Sequence, residues 1–128
     1  MKRLAVLGST GSVGEQTLAV AAAFPERFDV VALAAGRQIE KLAGQVRRFS
    51  PALVSVADAA GADALRAQLG AGAPRIVVGA EGLLEVSSHP ADLVVAGLVG
   101  ALGLEPTLAA IRAGRDIALA NKEVLVMA

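Results

Sequence analysis

The segment Gly8-Ser9-Thr10-Gly11-Ser12-Val13-Gly14 follows directly on the apolar run Leu4–Leu7 and leads directly into an amphipathic stretch. Glycines in a Gly-x-x-Gly-x-x-Gly spacing suit a backbone that must turn tightly, approach an anion closely, and start a helix packed against the preceding strand. The free N–H groups at such a helix start face outward and favour negative charge, so the chemistry this segment points to is the seating of a pyrophosphate. The hydroxyls of Thr10 and Ser12 add donors for phosphate oxygens. A structural alternative exists for Ser12, because Ser12-Val13-Gly14-Glu15 also matches a capping box, in which Ser and Glu satisfy each other's backbone donors.

A second candidate is Leu33-Ala34-Ala35-Gly36-Arg37-Gln38. An acidic residue at the end of a second strand would accept hydrogen bonds from a ribose 2′-hydroxyl and repel a 2′-phosphate. None stands here, and Arg37 offers instead a guanidinium whose fork matches phosphate. This pattern favours NADP over NAD. Val95-Ala96-Gly97-Leu98-Val99-Gly100-Ala101 is a glycine-bearing loop against which the nicotinamide half of a dinucleotide could lie, and it reads equally well as a tight strand-to-helix turn. Near the end, Asn121-Lys122-Glu123 places three polar residues where an apolar run stops. Lys122 would be a cation at a helix start, an electrostatically unfavourable place that argues for a ligand-directed role. His89 sits before Pro90 in a polar stretch and is assigned no catalytic role.

These residues need a scaffold, and the chain alternates short apolar runs with longer helical patterns. Leu4–Leu7, Val30–Ala35, Leu53–Val56, Ile76–Val78, Leu93–Ala96 and Ile117–Ala120 read as strands. Val13–Ala23, Ile39–Phe49, Asp58–Leu69 and Pro106–Ala113 read as helices, with a weaker one at Glu81–His89. The strand runs are continuously apolar, as parallel strands covered on both faces require. Pro25, Pro51, Pro74 and Pro90 each stop helical structure shortly before a strand. Pro106 and Gly114 suit the first turn and the end of the last helix. The expected fold is α/β: a Rossmann-like, doubly wound, mainly parallel sheet with helices on both faces, in a single domain over residues 1–128. Residues at the carboxyl ends of its strands would line the ligand crevice.

Composition narrows the function further. Of the 128 residues 55 % are hydrophobic and only 2 % aromatic, so the core must be built from Ala, Val, Leu and Ile. No apolar run reaches the roughly 18 residues a membrane span needs. The opening Met-Lys-Arg and apolar run stop at Gly8 without a cleavage-type sequence, so they read as a strand and not as a signal or transit peptide. Twelve basic residues balance twelve acidic ones, which gives no electrostatic footprint for nucleic acid or anionic lipid. The absence of cysteine excludes a disulfide framework, a Cys-based zinc site and a thiol nucleophile within the chain, and is compatible with the cytoplasm.

With these residues in place the sequence resembles the 1-deoxy-D-xylulose 5-phosphate reductoisomerases, NADPH-dependent enzymes of non-mevalonate isoprenoid biosynthesis. The carriers are Leu7 to Gly14, Val31-Ala32-Leu33-Ala34-Ala35-Gly36-Arg37, Pro106 to Gly114 and, most specific, Leu119-Ala120-Asn121-Lys122-Glu123. The resemblance implies that Thr10, Gly11, Ser12 and Val13 meet the pyrophosphate side of NADPH, and Gly36, Arg37 and Gln38 its 2′-phosphate end. It implies that Asn121 and Glu123 also contact the cofactor and that Lys122 reaches the sugar phosphate substrate. In the family a ketose phosphate is rearranged and reduced to 2-C-methyl-D-erythritol 4-phosphate with the help of Mg²⁺, Mn²⁺ or Co²⁺. The acidic metal ligands of the family lie beyond the Asn-Lys-Glu segment, so no catalytic or metal-binding residue is expected within this chain. The chain is accordingly expected to be the cofactor-binding piece of a longer, homodimeric enzyme. Two alternatives stand beside this reading: another NADP oxidoreductase of the semialdehyde dehydrogenase kind, and a non-catalytic nucleotide-sensing module.

Overall fold

Six strands and four helices make up the described part of the chain, which in this computed structural model is residues 1–96 and the backbone of 116–119. The strands are β1 (Lys2–Leu7), β2 (Phe28–Ala34), β3 (Leu53–Val56), β4 (Arg75–Val78), β5 (Leu93–Ala96) and β6 (Asp116–Leu119). The helices are α1 (Ser12–Ala23), α2 (Ile39–Phe49), α3 (Ala59–Leu69) and α4 (Gly79–Ser88), with a single 3₁₀ turn at Gly70–Gly72. The loop at Gly97–Ala101 and the helix expected at Pro106–Ala113 lie outside the described residues.

The strands form one sheet in the order β4-β3-β2-β1-β5-β6, and every neighbouring pair is parallel. From β1 the chain steps outward through β2 and β3 to the edge at β4, then returns across the sheet to lay β5 on the other side of β1. Right-handed crossovers put helices of opposite progression on opposite faces. Accordingly α1, α2 and α3 pack on one face, with Leu18, Ala21, Leu42, Ala43, Val46, Ala62 and Leu65 against Leu4, Val6, Val30, Leu33, Val54 and Val56. On the other face Val86 of α4 joins Ala5, Leu7, Ala32, Ala34, Leu53, Val94 and Ala96. The two faces differ in bulk: Leu and Val carry the first, while alanines make up much of the sheet's side under α4. This is the doubly wound arrangement expected from the alternating apolar runs.

Boundaries depart from the sequence reading by one or two residues, for identifiable reasons. β1 begins at Lys2 because its pairing with Phe28 and Asp29 is made by backbone, which hydropathy does not register. Asp58 is the N-cap of α3 and not its first residue, its carboxylate accepting from the Gly61 N–H at 2.8 Å. α4 starts earlier than expected, straight after Val78, through Gly79 with φ of 70°. At its far end it stops before His89.

Candidate functional site

The order reversal beside β1 sets the carboxyl ends of β1 and β5 side by side, which is where doubly wound sheets open a ligand crevice. The glycine turn leaves the sheet at this point. Gly8 takes φ of 80°, a left-handed conformation that only glycine adopts without cost, and its N–H and that of Ser9 both donate to the Ala34 carbonyl at 2.8 and 2.9 Å. Gly11 then donates to the Gly8 carbonyl at 3.1 Å and accepts from Glu15, the first helical bond of α1.

Gly11 is the N-cap, with extended backbone and no side chain to offer, and among the described residues no side chain caps the first turn of α1. The capping-box alternative for Ser12 is therefore corrected. The turn starts the helix one residue earlier than that motif requires, so Ser12 is the first helical residue and exposed. Glu15 turns instead to Lys41 of α2, whose Nζ lies 2.6 Å from its carboxylate. A helix end left without a protein cap is what an anion would use.

The remaining turn residues divide between exterior and interior. Gly11, Ser12 and Val13 are exposed, while Thr10 is 8 % exposed and Ser9 fully buried. Gly14 closes the turn by contact: a Cβ there would stand 2.1 Å from the Gly8 carbonyl oxygen and 2.6 Å from the Ser9 Cα. Only glycine lets α1 lie this close to the end of β1. A Cβ on Gly11, by contrast, would have the Gly8 oxygen as its nearest neighbour among the described residues, at 3.4 Å, and one on Gly36 would meet none of them within 4 Å.

The second cluster sits beside the first because β2 pairs with β1 in register up to Leu7 and Ala34. Gly36, Arg37 and Gln38 are exposed at the end of β2 and the start of α2, with the Gly36 carbonyl held by the Ala57 N–H at 3.3 Å. Among the described residues no carboxylate pairs with the Arg37 guanidinium. The structure thus brings the pyrophosphate candidates and the 2′-phosphate candidates to one edge of the sheet. β6 pairs with β5 as far as Ala96 and Leu119 and ends at that same edge. Asn121, Lys122 and Glu123, which follow it in sequence, lie outside the described residues.

One residue at the site escaped the sequence reading. Gln45 of α2 donates from Nε2 to the Ser9 carbonyl at 2.8 Å, while its Oε1 and the Ser9 Oγ are buried with no hydrogen-bond partner among the described residues. Its polar side chain at the flank of the apolar stripe Leu42, Val46 and Phe49 carries no local sign of that bond. The described residue with a displaced acidity lies elsewhere: hydrogen bonds from the Arg3 backbone and then its side chain hold the Asp92 carboxyl below its ordinary value, at the opposite end of β1. No three His, Asp or Glu side chains gather into a metal site among the described residues. Nor is any described helix long and apolar enough to cross a membrane.

A parallel sheet that reverses its order beside a glycine turn, with an uncapped helix behind that turn, defines a Rossmann-type α/β fold of the nucleotide-binding class. A family model for 1-deoxy-D-xylulose 5-phosphate reductoisomerase matches residues 4–128. The chain belongs to this family. It is 61 % identical over 132 residues to the reductoisomerase of Symbiobacterium thermophilum, covering 99 % of this chain and 34 % of that protein. It is 53 % identical to that of a Synechococcus strain, covering 100 % of this chain and 32 % of the relative. Among solved structures, the Zymomonas mobilis reductoisomerase in complex with NADPH superposes with a TM-score of 0.92 at 38 % identity, over 99 % of this chain and 34 % of that one. A reductoisomerase in complex with NADPH, fosmidomycin and magnesium gives 0.89 at 42 % identity, over 100 % of this chain and 32 % of that one. The chain spans about a third of the length of the relatives it matches.

Proposed function

We propose that this chain is the NADPH-binding domain of a 1-deoxy-D-xylulose 5-phosphate reductoisomerase. The observation that carries the reading is the uncapped start of α1, set by the Gly8–Gly14 turn at the sheet's reversal point. The residues fit the cofactor: Gly14 lets helix and strand close up, while Gly11 and Gly36 leave room that protein does not fill. NADPH, when bound, supplies the hydride for the reduction. The backbone and hydroxyls of Thr10, Gly11, Ser12 and Val13 would hold its pyrophosphate, and Gly36, Arg37 and Gln38 its 2′-phosphate. On the family match, Asn121 and Glu123 would seat the cofactor and Lys122 would meet the sugar phosphate. A divalent metal, a homodimeric assembly and a cytoplasmic setting belong to the same reading of the whole enzyme. The semialdehyde dehydrogenase alternative falls with the family match.

Calorimetric titration with NADPH and NADH tests this reading. NADPH binds more tightly, because a phosphate–guanidinium contact is charge-assisted and contributes on the order of 1.5–3 kcal/mol. Arg37→Ala lowers NADPH affinity toward that of NADH. Equal affinities for the two cofactors in the unaltered chain, or no loss on Arg37→Ala, would refute the assignment.

A further inference from the structure

We propose that Gln45 is a positioning residue for the cofactor turn, holding the Ser9–Thr10 peptide so that the Thr10 N–H is presented to the pyrophosphate. The inference rests on the reading that this turn binds NADPH, and deepens it.

Gln45 lies 36 residues from Ser9, on a different helix from the one the turn begins, yet its amide reaches the Ser9 carbonyl at 2.8 Å. No peptide bond in the described chain is cis. In a planar trans peptide the C=O and the following N–H point in opposite directions. A Ser9 carbonyl drawn toward Gln45 therefore turns the Thr10 N–H away from α2. That N–H has no backbone acceptor within the described residues, unlike those of Gly8, Ser9 and Gly11 on either side of it. Without the Gln45 donor, the peptide would lose the one side-chain hydrogen bond that fixes its orientation.

The unsatisfied atoms around this bond strengthen the argument. Ser9 is fully buried, and among the described residues its Oγ lacks a partner, as does the Oε1 of Gln45. Buried polar atoms without partners cost stability, and an apolar residue at position 45, beside the stripe of Leu42, Val46 and Phe49, would avoid that cost. Gln45 stands where its one bond acts on the turn. Lys41, one helical turn earlier on α2, reaches Glu15 of α1. The two contacts join the helix that begins at the 2′-phosphate cluster to the turn and helix of the pyrophosphate cluster.

The test compares the full chain with Gln45→Met, which keeps length and loses the donor. The variant binds both NADPH and NADH about tenfold more weakly, the scale expected when a partly buried hydrogen bond is removed. The ratio of the two affinities is unchanged, because the pyrophosphate is common to both cofactors. In ³¹P spectra of bound NADPH the pyrophosphate signals move and the 2′-phosphate signal does not. Unaltered affinity for both cofactors, or weakening confined to NADPH, overturns the proposal while the cofactor reading stands. If the unaltered chain binds neither dinucleotide, the cofactor reading fails and this proposal with it. Should Gln45→Met not fold, the Thr10 amide of the unaltered chain decides: its ¹H–¹⁵N signal shifts strongly and gains exchange protection with NADPH, and an unmoved signal overturns the proposal.

Discussion

Three glycines at the candidate cofactor edge do two kinds of work, and the difference is measurable. Gly14 has no room for a Cβ beside the Gly8 carbonyl, so Gly14→Ala must push α1 off the sheet, at a cost of roughly 2–3 kcal/mol or more in unfolding free energy. Gly36 and Gly11 have ordinary backbone and space around them. Gly36→Ala accordingly leaves stability within about 0.5 kcal/mol of the original, Gly11→Ala costs up to about 1 kcal/mol because alanine is a poor N-cap, and both weaken NADPH binding. Urea unfolding and cofactor titration on the three variants separate the two effects; a stable Gly14→Ala would show that the close approach is not structural. The glycine spacing was legible in the sequence because each glycine answers a local geometric demand. The first residue of α1 was not, since the capping box around Ser12 is an equally local signal and only the path of the turn decides between them. Gln45 was hidden for another reason: its partner Ser9 is distant in sequence, and nothing local marks a hydrogen bond between two elements.

Strands and helices were easier to read, because each is a continuous apolar run or an amphipathic stretch bounded by proline or glycine. β3 and β5 and the whole of α2 match their expected limits, while β1 extends into Lys2 and Arg3, whose side chains are exposed. The same Arg3 sets a property of β5. Its backbone N–H donates to the Asp92 carboxylate at 2.8 Å and its guanidinium adds a weaker pair at 3.4 Å, so the start of β5 is tied to β1 by more than the ladder. The Asp92 carboxyl titrates below its ordinary 3.8 in the folded chain. The contribution to stability is therefore present at pH values above 3.8 and is lost as pH falls through the lower, folded value. Asp92→Asn lowers stability near neutrality, and the gap between variant and original closes in acid. Urea midpoints between pH 7 and pH 2 check this; a gap independent of pH would assign the effect to packing. At α3, Asp58→Ala removes the N-cap and costs about 1 kcal/mol, read as a drop in Tm.

Strand order was the least legible feature, because apolar runs give the number of strands but not their neighbours. The reversal at β1 is nevertheless what gathers residues from the turn, from the end of β2 and from the end of β6 at one edge. On the proposed reading that edge would be completed by the Asn121-Lys122-Glu123 segment together with the rest of a longer enzyme. Purified chain is thus expected to bind NADPH without oxidising it in the presence of 1-deoxy-D-xylulose 5-phosphate and Mg²⁺; metal-dependent turnover would show that the catalytic groups lie within these 128 residues. In a complete enzyme, Lys122→Ala lowers kcat/KM for the sugar phosphate by about a hundredfold with NADPH binding intact, whereas Glu123→Gln weakens NADPH. Steady-state kinetics with each substrate varied in turn distinguish the two. The unequal bulk of the sheet's faces carries a consequence for how the domain tolerates change. On the side under α1, α2 and α3, trimming Leu33 or Val54 opens a void. On the side under α4, where Ala5, Ala32 and Ala34 are already minimal, the harmful direction is growth: Ala32→Val or Ala34→Leu would wedge α4 outward. A saturation library would read as two opposite size preferences alternating along β1 and β2, so the domain can drift in sequence only by keeping one side heavy and the other light.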